Sequence, residues 1–436
     1  MTIDRRTFVA AAGALTAGPA MAQRRPTTRA FPRNFLWGVS TAGHQIEGNN
    51  VASDTWFLEN VKPTIFAEKS GDACNSLALW PQDLDIVKAL GLNSYRFSVE
   101  WARIEPEQGL ISNAMLDHYR RIVDGCMARG LTPVVTFSHF TAPRWFSAAG
   151  GWTNPQAPML FAKFCERVTR HLGRGIGHAV TMNEPNLLRL LRSLGLPPQM
   201  LDAQRAMLVA AAKAAGTPKF VAANAANAED SETMQRIMLA AHKAGRDAIK
   251  SVRPDLPVGV SLAMLDDQAV GATTKRDAVR ADLYDEWLDA ARGDDFIGVQ
   301  NYERARWGTS GRVDPPADAV RNWGGSEVWA PSLAGAVRYA HQATGKPVLV
   351  TEHGVGSDND AVRAKLIPDS LAALKQAMDD GVPVHGYLHW SLLDNFEWIF
   401  GYKPRFGLVS VDRTTFKRTL KPSASVLGAI AKRNAL

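Results

Sequence analysis

The sequence predicts a single α/β domain folded as a (β/α)8 barrel with elaborated βα loops, and three observations carry that prediction. Eight short runs rich in apolar and β-branched residues alternate with longer helix-compatible stretches along the 436 residues. Such alternation implies a parallel sheet with helical crossovers, and eight units suit a closed barrel. The alternative, an open doubly wound sheet, usually carries a Gly-rich phosphate loop after its first strand. Here the first run leads into Ser40-Thr41-Ala42-Gly43-His44-Gln45, with no GxGxxG.

Taken in order, the first four strands are FLWGVS from Phe35, SYRFSV from Ser94, PVVTFSH from Pro133 and HAVTMN from His178. The second four are PVGVSL from Pro257, FIGVQN from Phe296, PVLVTE from Pro347 and VHGYLHW from Val384. Between them, DLDIVKALG spaces Leu84, Val87, Leu90 and Leu92 at helical period and closes on Gly91, a good C-cap. LDHYRRIVDGCMARG and PDSLAALKQAMDDG end likewise on Gly130 and Gly381. Two regions read as enlarged loops, from Asn186 to about Asp230 and from about Glu303 to Gly335.

The N-terminus has its own pattern. Arg5 and Arg6 precede Phe8 and a run of small apolar residues, and Ala20-Met21-Ala22 fits an A-x-A cleavage site. Residues 1–22 resemble a twin-arginine export signal, which implies contact with the export machinery and a periplasmic or secreted product. The other reading is a short anchor or unstructured tail, although the run is too short to span a bilayer. Residues 23–436 form the expected barrel domain.

Composition narrows the rest. Hydrophobic content of 46% and charged content of 21% are those of a soluble globular chain. No later segment reaches the apolar length of a membrane span. The net charge of +7 comes from scattered basic residues and reads as a solvated surface, not a nucleic-acid footprint. Cys74, Cys126 and Cys165 lack CxxC spacing and are odd in number, so buried free thiols are expected. The histidines show no HExxH or clustered spacing, and no metal or cofactor is expected. Oligomeric state is not legible.

In a barrel of this kind the site is built at the C-terminal strand ends. Those ends carry Gln45 and Glu47 (loop one), Arg96 (strand two), His139 (three), and Asn183 with Glu184 (four). They continue with Gln300 and Tyr302 (six), Glu352 (seven), and Trp390 with Glu397 and Trp398 (eight). Polar strand ends are common, and any one of these has an ordinary structural reading: core packing for the tryptophans, a satisfied core histidine, a structural ion pair for Arg96. Together in one mouth they suggest chemistry. Glu184 and Glu352, expected on opposite sides of the mouth, could flank a glycosidic bond, one protonated and one ionised.

FPRNFLWGVSTAGHQIEG, TMNEPN, FIGVQNY, VTEHG and HWSLLDNFEWIFGYKPRFGLV together resemble the family 1 glycoside hydrolases, retaining (β/α)8 enzymes that include β-glucosidases and β-galactosidases. The motifs run in order from about Phe31 to Lys421. The resemblance implies Glu184 as acid/base and Glu352 as nucleophile, supported by Arg96, Asn183 and Tyr302. It implies sugar contacts from Gln45, His139, Asn183, Trp390, Glu397 and Trp398. A charged Glu397 would repel a 6-phosphate, so β-glucosides without phosphate are the expected substrates, with galactosides, fucosides and xylosides as side activities. Related barrels that cleave glucans internally or transfer sugar to alcohols stand as alternatives, as does a non-catalytic sugar-binding barrel.

The sequence departs from the family pattern in four places. Phe140 follows His139 where Trp is common, Gln300 replaces an Asn, and the turn reads Glu352-His353-Gly354. The segment LLRLLRSLGLPPQM after Asn186 lacks the usual aromatic and Gly-rich stretch, which leaves the aglycone open.

Overall fold

The computed structural model describes residues 30–436, so the expected export signal at residues 1–22, with Ala20-Met21-Ala22, lies outside the described residues. Eight parallel strands close into a barrel in chain order. They are β1 (Leu36–Ser40), β2 (Ser94–Ser98), β3 (Thr132–Ser138) and β4 (His178–Asn183), then β5 (Val258–Ala263), β6 (Phe296–Asn301), β7 (Val348–His353) and β8 (Val384–Trp390). Each lies within one residue of the run expected from sequence.

The strands are buried on both faces, which explains their near-continuous apolar character. Inside the barrel, Val134, Val180, Phe296, Leu349 and Leu388 pack with Leu36 into one closed layer. A much larger core lies between the strands and the surrounding helices. Gly245 is part of its fit: a Cβ there would sit 2.7 Å from the Phe161 ring, so glycine lets the Ser231–Val252 helix close on Ala157–Leu172. All three cysteines are buried and free.

Two helices begin earlier than their apolar pattern indicated. One spans Ser76–Ala89 with Pro81 inside, and another Asp360–Asp379 with Pro368 inside. Proline normally ends a helix reading, but here tertiary packing on the barrel outweighs the lost backbone bond.

The enlarged loops gather at the C-terminal mouth. Residues 186–230 hold the helices Leu187–Ser193 and Pro198–Ala215. After β5, Asp266–Ala269 pairs parallel with Arg304–Gly308, which pairs antiparallel with Gly311–Val313. A separate apolar cluster, including Leu58, Met207, Phe220 and Phe396, packs these loops over the rim.

Candidate active site

Arg96 on β2 is fully buried, so its charge has to be met inside the barrel. Nη1 donates to Glu352 Oε1 at 2.5 Å, Nη2 to Asn183 Oδ1 at 2.6 Å and Nε to Thr136 Oγ1 at 3.0 Å. One guanidinium therefore ties β2 to β3, β4 and β7. Gln300 Nε2 donates to the same Asn183 oxygen at 2.7 Å. The β6–β7 register pairs Gln300 with Glu352, which sets both at one level. Tyr302 OH donates to Glu352 Oε2 at 2.5 Å, so each Glu352 oxygen receives one donor.

Glu184 is held differently. Its backbone has φ 44°, in the left-handed region that a non-glycine residue rarely adopts. Its N–H donates to Ser261 O on β5 at 2.8 Å, which fixes the turn after β4. Among the described residues, no side-chain hydrogen bond reaches its carboxyl. Phe140 and Trp398 share the positive φ, at 65° and 53°, so three residues of the mouth sit in unusual backbone.

Glu184 and Glu352 line one cavity of about 260 Å³. In the closed barrel, β4 and β7 are separated by β5 and β6 on one side and by β8, β1, β2 and β3 on the other. Burial, then the charge of Glu352, pushes the Glu184 carboxyl well above the ordinary carboxylate range, with Arg96 opposing. Burial lifts Glu352 as well, against the Arg96 charge and the Tyr302 and Arg96 hydrogen bonds. Both carboxyls are therefore raised, and they differ in that Glu352 has donors that stabilise its anion while Glu184 has none.

The remaining predicted residues gather at the same cavity. Gln45, His139, Trp390, Glu397 and Trp398 all line it. Gln45 Nε2 is spent on Asn395 Oδ1 (3.0 Å) and Phe396 O (2.8 Å), while its Oε1 has no partner. Asn183 Nδ2, His139 Nδ1 and Glu397 Oε1 are likewise buried without partners. Buried polar atoms are normally satisfied, so such a cluster marks a place for a polar ligand. Burial, then Arg96, holds His139 far below its ordinary pKa and keeps it neutral. Its ring lies nearly parallel to Trp390 and Trp398, with centroids at 5.8 and 6.2 Å.

Glu397 departs from expectation. Burial pushes its carboxyl up to about 8, with the Trp390 hydrogen bond opposing and Glu352 adding to the rise. That shift weakens the negative charge expected of it near neutral pH. In addition, no Lys or Arg among the described residues lines the cavity, so a sugar phosphate would find no counter-charge from them. Of the other residues that build the site, Thr136 was legible only as an inward position of β3. Asn395 and Phe396, which orient Gln45, fall inside the HWSLLDNFEW motif but are not among the site residues expected from sequence. Glu47 lies apart from the cavity, bonded to Arg103 and Tyr119.

Among the described residues, no group of three or more His, Cys, Asp or Glu side chains could hold a metal, and no helix is long and apolar enough to cross a membrane. A closed barrel whose mouth sets two buried carboxyls beside unsatisfied polar groups has the form of a barrel glycoside hydrolase. The sequence profile of glycosyl hydrolase family 1 matches residues 27–302 and 323–436, and the chain belongs to that family. The unmatched residues between include the Arg304–Gly308 and Gly311–Val313 pair. A β-glucosidase from Agrobacterium sp. is 32% identical over 459 residues, covering 92% of this chain and 95% of that protein. The apo structure of β-glucosidase 1317 superposes with a TM-score of 0.88 at 42% identity, covering 92% of this chain and 98% of the other. The β-glycosidase BGL167 gives 0.87 at 46% identity, covering 93% and 98%. The protein is accordingly a glycoside hydrolase.

Proposed function

We propose that the protein is a retaining exo-β-glycosidase whose best substrates are non-phosphorylated β-glucosides. One observation carries this reading: both Glu352 oxygens receive donors while Glu184, on the same cavity, receives none. That asymmetry makes Glu352 the anion and Glu184 the acid.

In the first step a Glu352 oxygen bonds to the anomeric carbon as the glycosidic C–O bond breaks. Glu184 gives its proton to the departing oxygen, and the sugar is held as an ester on Glu352. Esterification removes the Glu352 charge that helps raise Glu184, so Glu184 can now act as base. It takes a proton from water, the water oxygen bonds to the anomeric carbon, and Glu352 leaves as carboxylate. Two inversions retain the β configuration. Asn183 Nδ2 supports the 2-hydroxyl, and Gln45 Oε1 and Glu397 accept or donate to hydroxyls further round the ring.

The test is labelling with a 2-deoxy-2-fluoro β-glucoside. A glucosyl adduct on the peptide bearing Glu352 is expected, and Glu184→Ala should form β-glucosyl azide when azide is added. An adduct elsewhere, or an α product, would overturn the assignment.

We also propose export through the twin-arginine route to the periplasm or medium, supported by Arg5, Arg6, Phe8 and Ala20-Met21-Ala22. Changing Arg5 and Arg6 to Lys should retain the full-length chain inside the cell. Undiminished export of that variant would count against the route.

A further inference from the structure

We infer that the Leu187–Ser193 helix and its C-cap form an apolar aglycone platform, built for a leaving group that is not a sugar. The inference rests on the glycosidase reading above and deepens it.

Leu187, Leu190, Leu191 and Leu194 all line the cavity that holds Glu184 and Glu352. Their spacing is i, i+3, i+4 and i+7, one face of a helix. The face begins three residues after Glu184, so it lies beside the acid that protonates the departing oxygen. Of the four, Leu190 is buried and the others are partly open. Met264 and Phe406 extend the apolar wall.

The opposite face is anchored. Arg189 pairs with Glu232 and donates to Asp282 O at 3.0 Å, and Arg192 donates to Ala226 O at 3.4 Å. At the entry to the helix, Asn186 and Ala263 exchange two hydrogen bonds of 2.9 and 3.1 Å. The leucines are therefore presented by a braced element.

A second sugar in this position would set several hydroxyls against leucine side chains, and each unsatisfied hydroxyl is costly. The wall offers few polar groups; Glu303 Oε2 and Gln300 Oε1, both buried without partners, are acceptors on the same cavity. So few acceptors beside an aliphatic wall fit an alkyl, terpenoid or sparsely hydroxylated ring aglycone.

The experiment compares kcat/KM for octyl β-glucoside, methyl β-glucoside and cellobiose, using the parent, Leu191→Asn and Leu194→Asn. The octyl glucoside should exceed both others by at least about tenfold, since its alkyl chain leaves water against the leucines. Each variant should lower the octyl-to-methyl ratio by about tenfold while Glu352 is still labelled by 2-fluoroglucosyl fluoride, which has no aglycone to bind. Cellobiose equal to or better than the octyl glucoside, or an unchanged ratio in both variants, overturns the platform and leaves the glycosidase intact. No turnover and no labelling with any glucoside sinks the glycosidase reading, and this inference with it.

Discussion

Arg96 and Glu352 form an ion pair of 2.5 Å in which the arginine side chain has no exposure and the glutamate about 5%. A buried pair of this kind gives little net stability against an apolar substitute, but removing one partner leaves the other charge unmet. Its value here is orientation, because the same guanidinium also holds Asn183 and Thr136.

Arg96→Met should therefore cost both stability and catalysis. We expect a loss of about 3–5 kcal/mol in urea unfolding and a fall in kcat/KM of at least about a hundredfold. Retained activity in a well-folded variant would show that Arg96 does not position Glu352.

Tyr302→Phe removes the donor to Glu352 Oε2. The donor stabilises the anion, so its loss raises the Glu352 pKa. The acid limb of the kcat/KM profile should move to higher pH by about one unit, the scale of one charge-assisted hydrogen bond. An acid limb that stays in place would assign it to another group.

Glu397 gives a pH-dependent stability. Its folded pKa of about 8 lies above the ordinary 4.5, so its contribution is complete below about 4.5 and is lost as pH rises to about 8. Glu47, raised to about 7 chiefly by burial, acts in the same direction. The melting temperature of the parent should fall across this window, and Glu397→Gln should flatten part of the fall. Parallel curves for the two proteins would show that Glu397 is not raised.

Gly354→Ala tests the packing behind the nucleophile. A Cβ at Gly354 would lie 2.0 Å from the Trp390 backbone oxygen, which cannot rotate away. We expect destabilisation of about 1–3 kcal/mol or more, with reduced glucoside turnover as Glu352 and Trp390 shift. Thermal melts and kinetics on the same preparation would check this, and wild-type values in both would refute the contact.

Much of the architecture was legible because a parallel barrel buries its strands on both faces, so each appears as a short apolar run with a polar residue at its end. Glu184, Glu352, His139 and Trp390 were found in that way. The helix starts at Ser76 and Asp360 lie upstream of the segments read from the sequence, beyond the internal Pro81 and Pro368. Residue type shows Glu397 only as an acid; the burial that pushes its carboxyl up exists only in the fold.

The amino-acid order by itself determined the eightfold alternation, the carboxyls at the fourth and seventh strand ends and the leucine run after Asn186, since each is a local pattern of period or residue type. Only the folded barrel decided that Arg96 grips Glu352, that Gln45 is turned by Asn395 and Phe396, and that four leucines share a cavity with the acid. Those are long-range contacts, and their energies depend on a low-dielectric interior that exists only once distant strands have closed together.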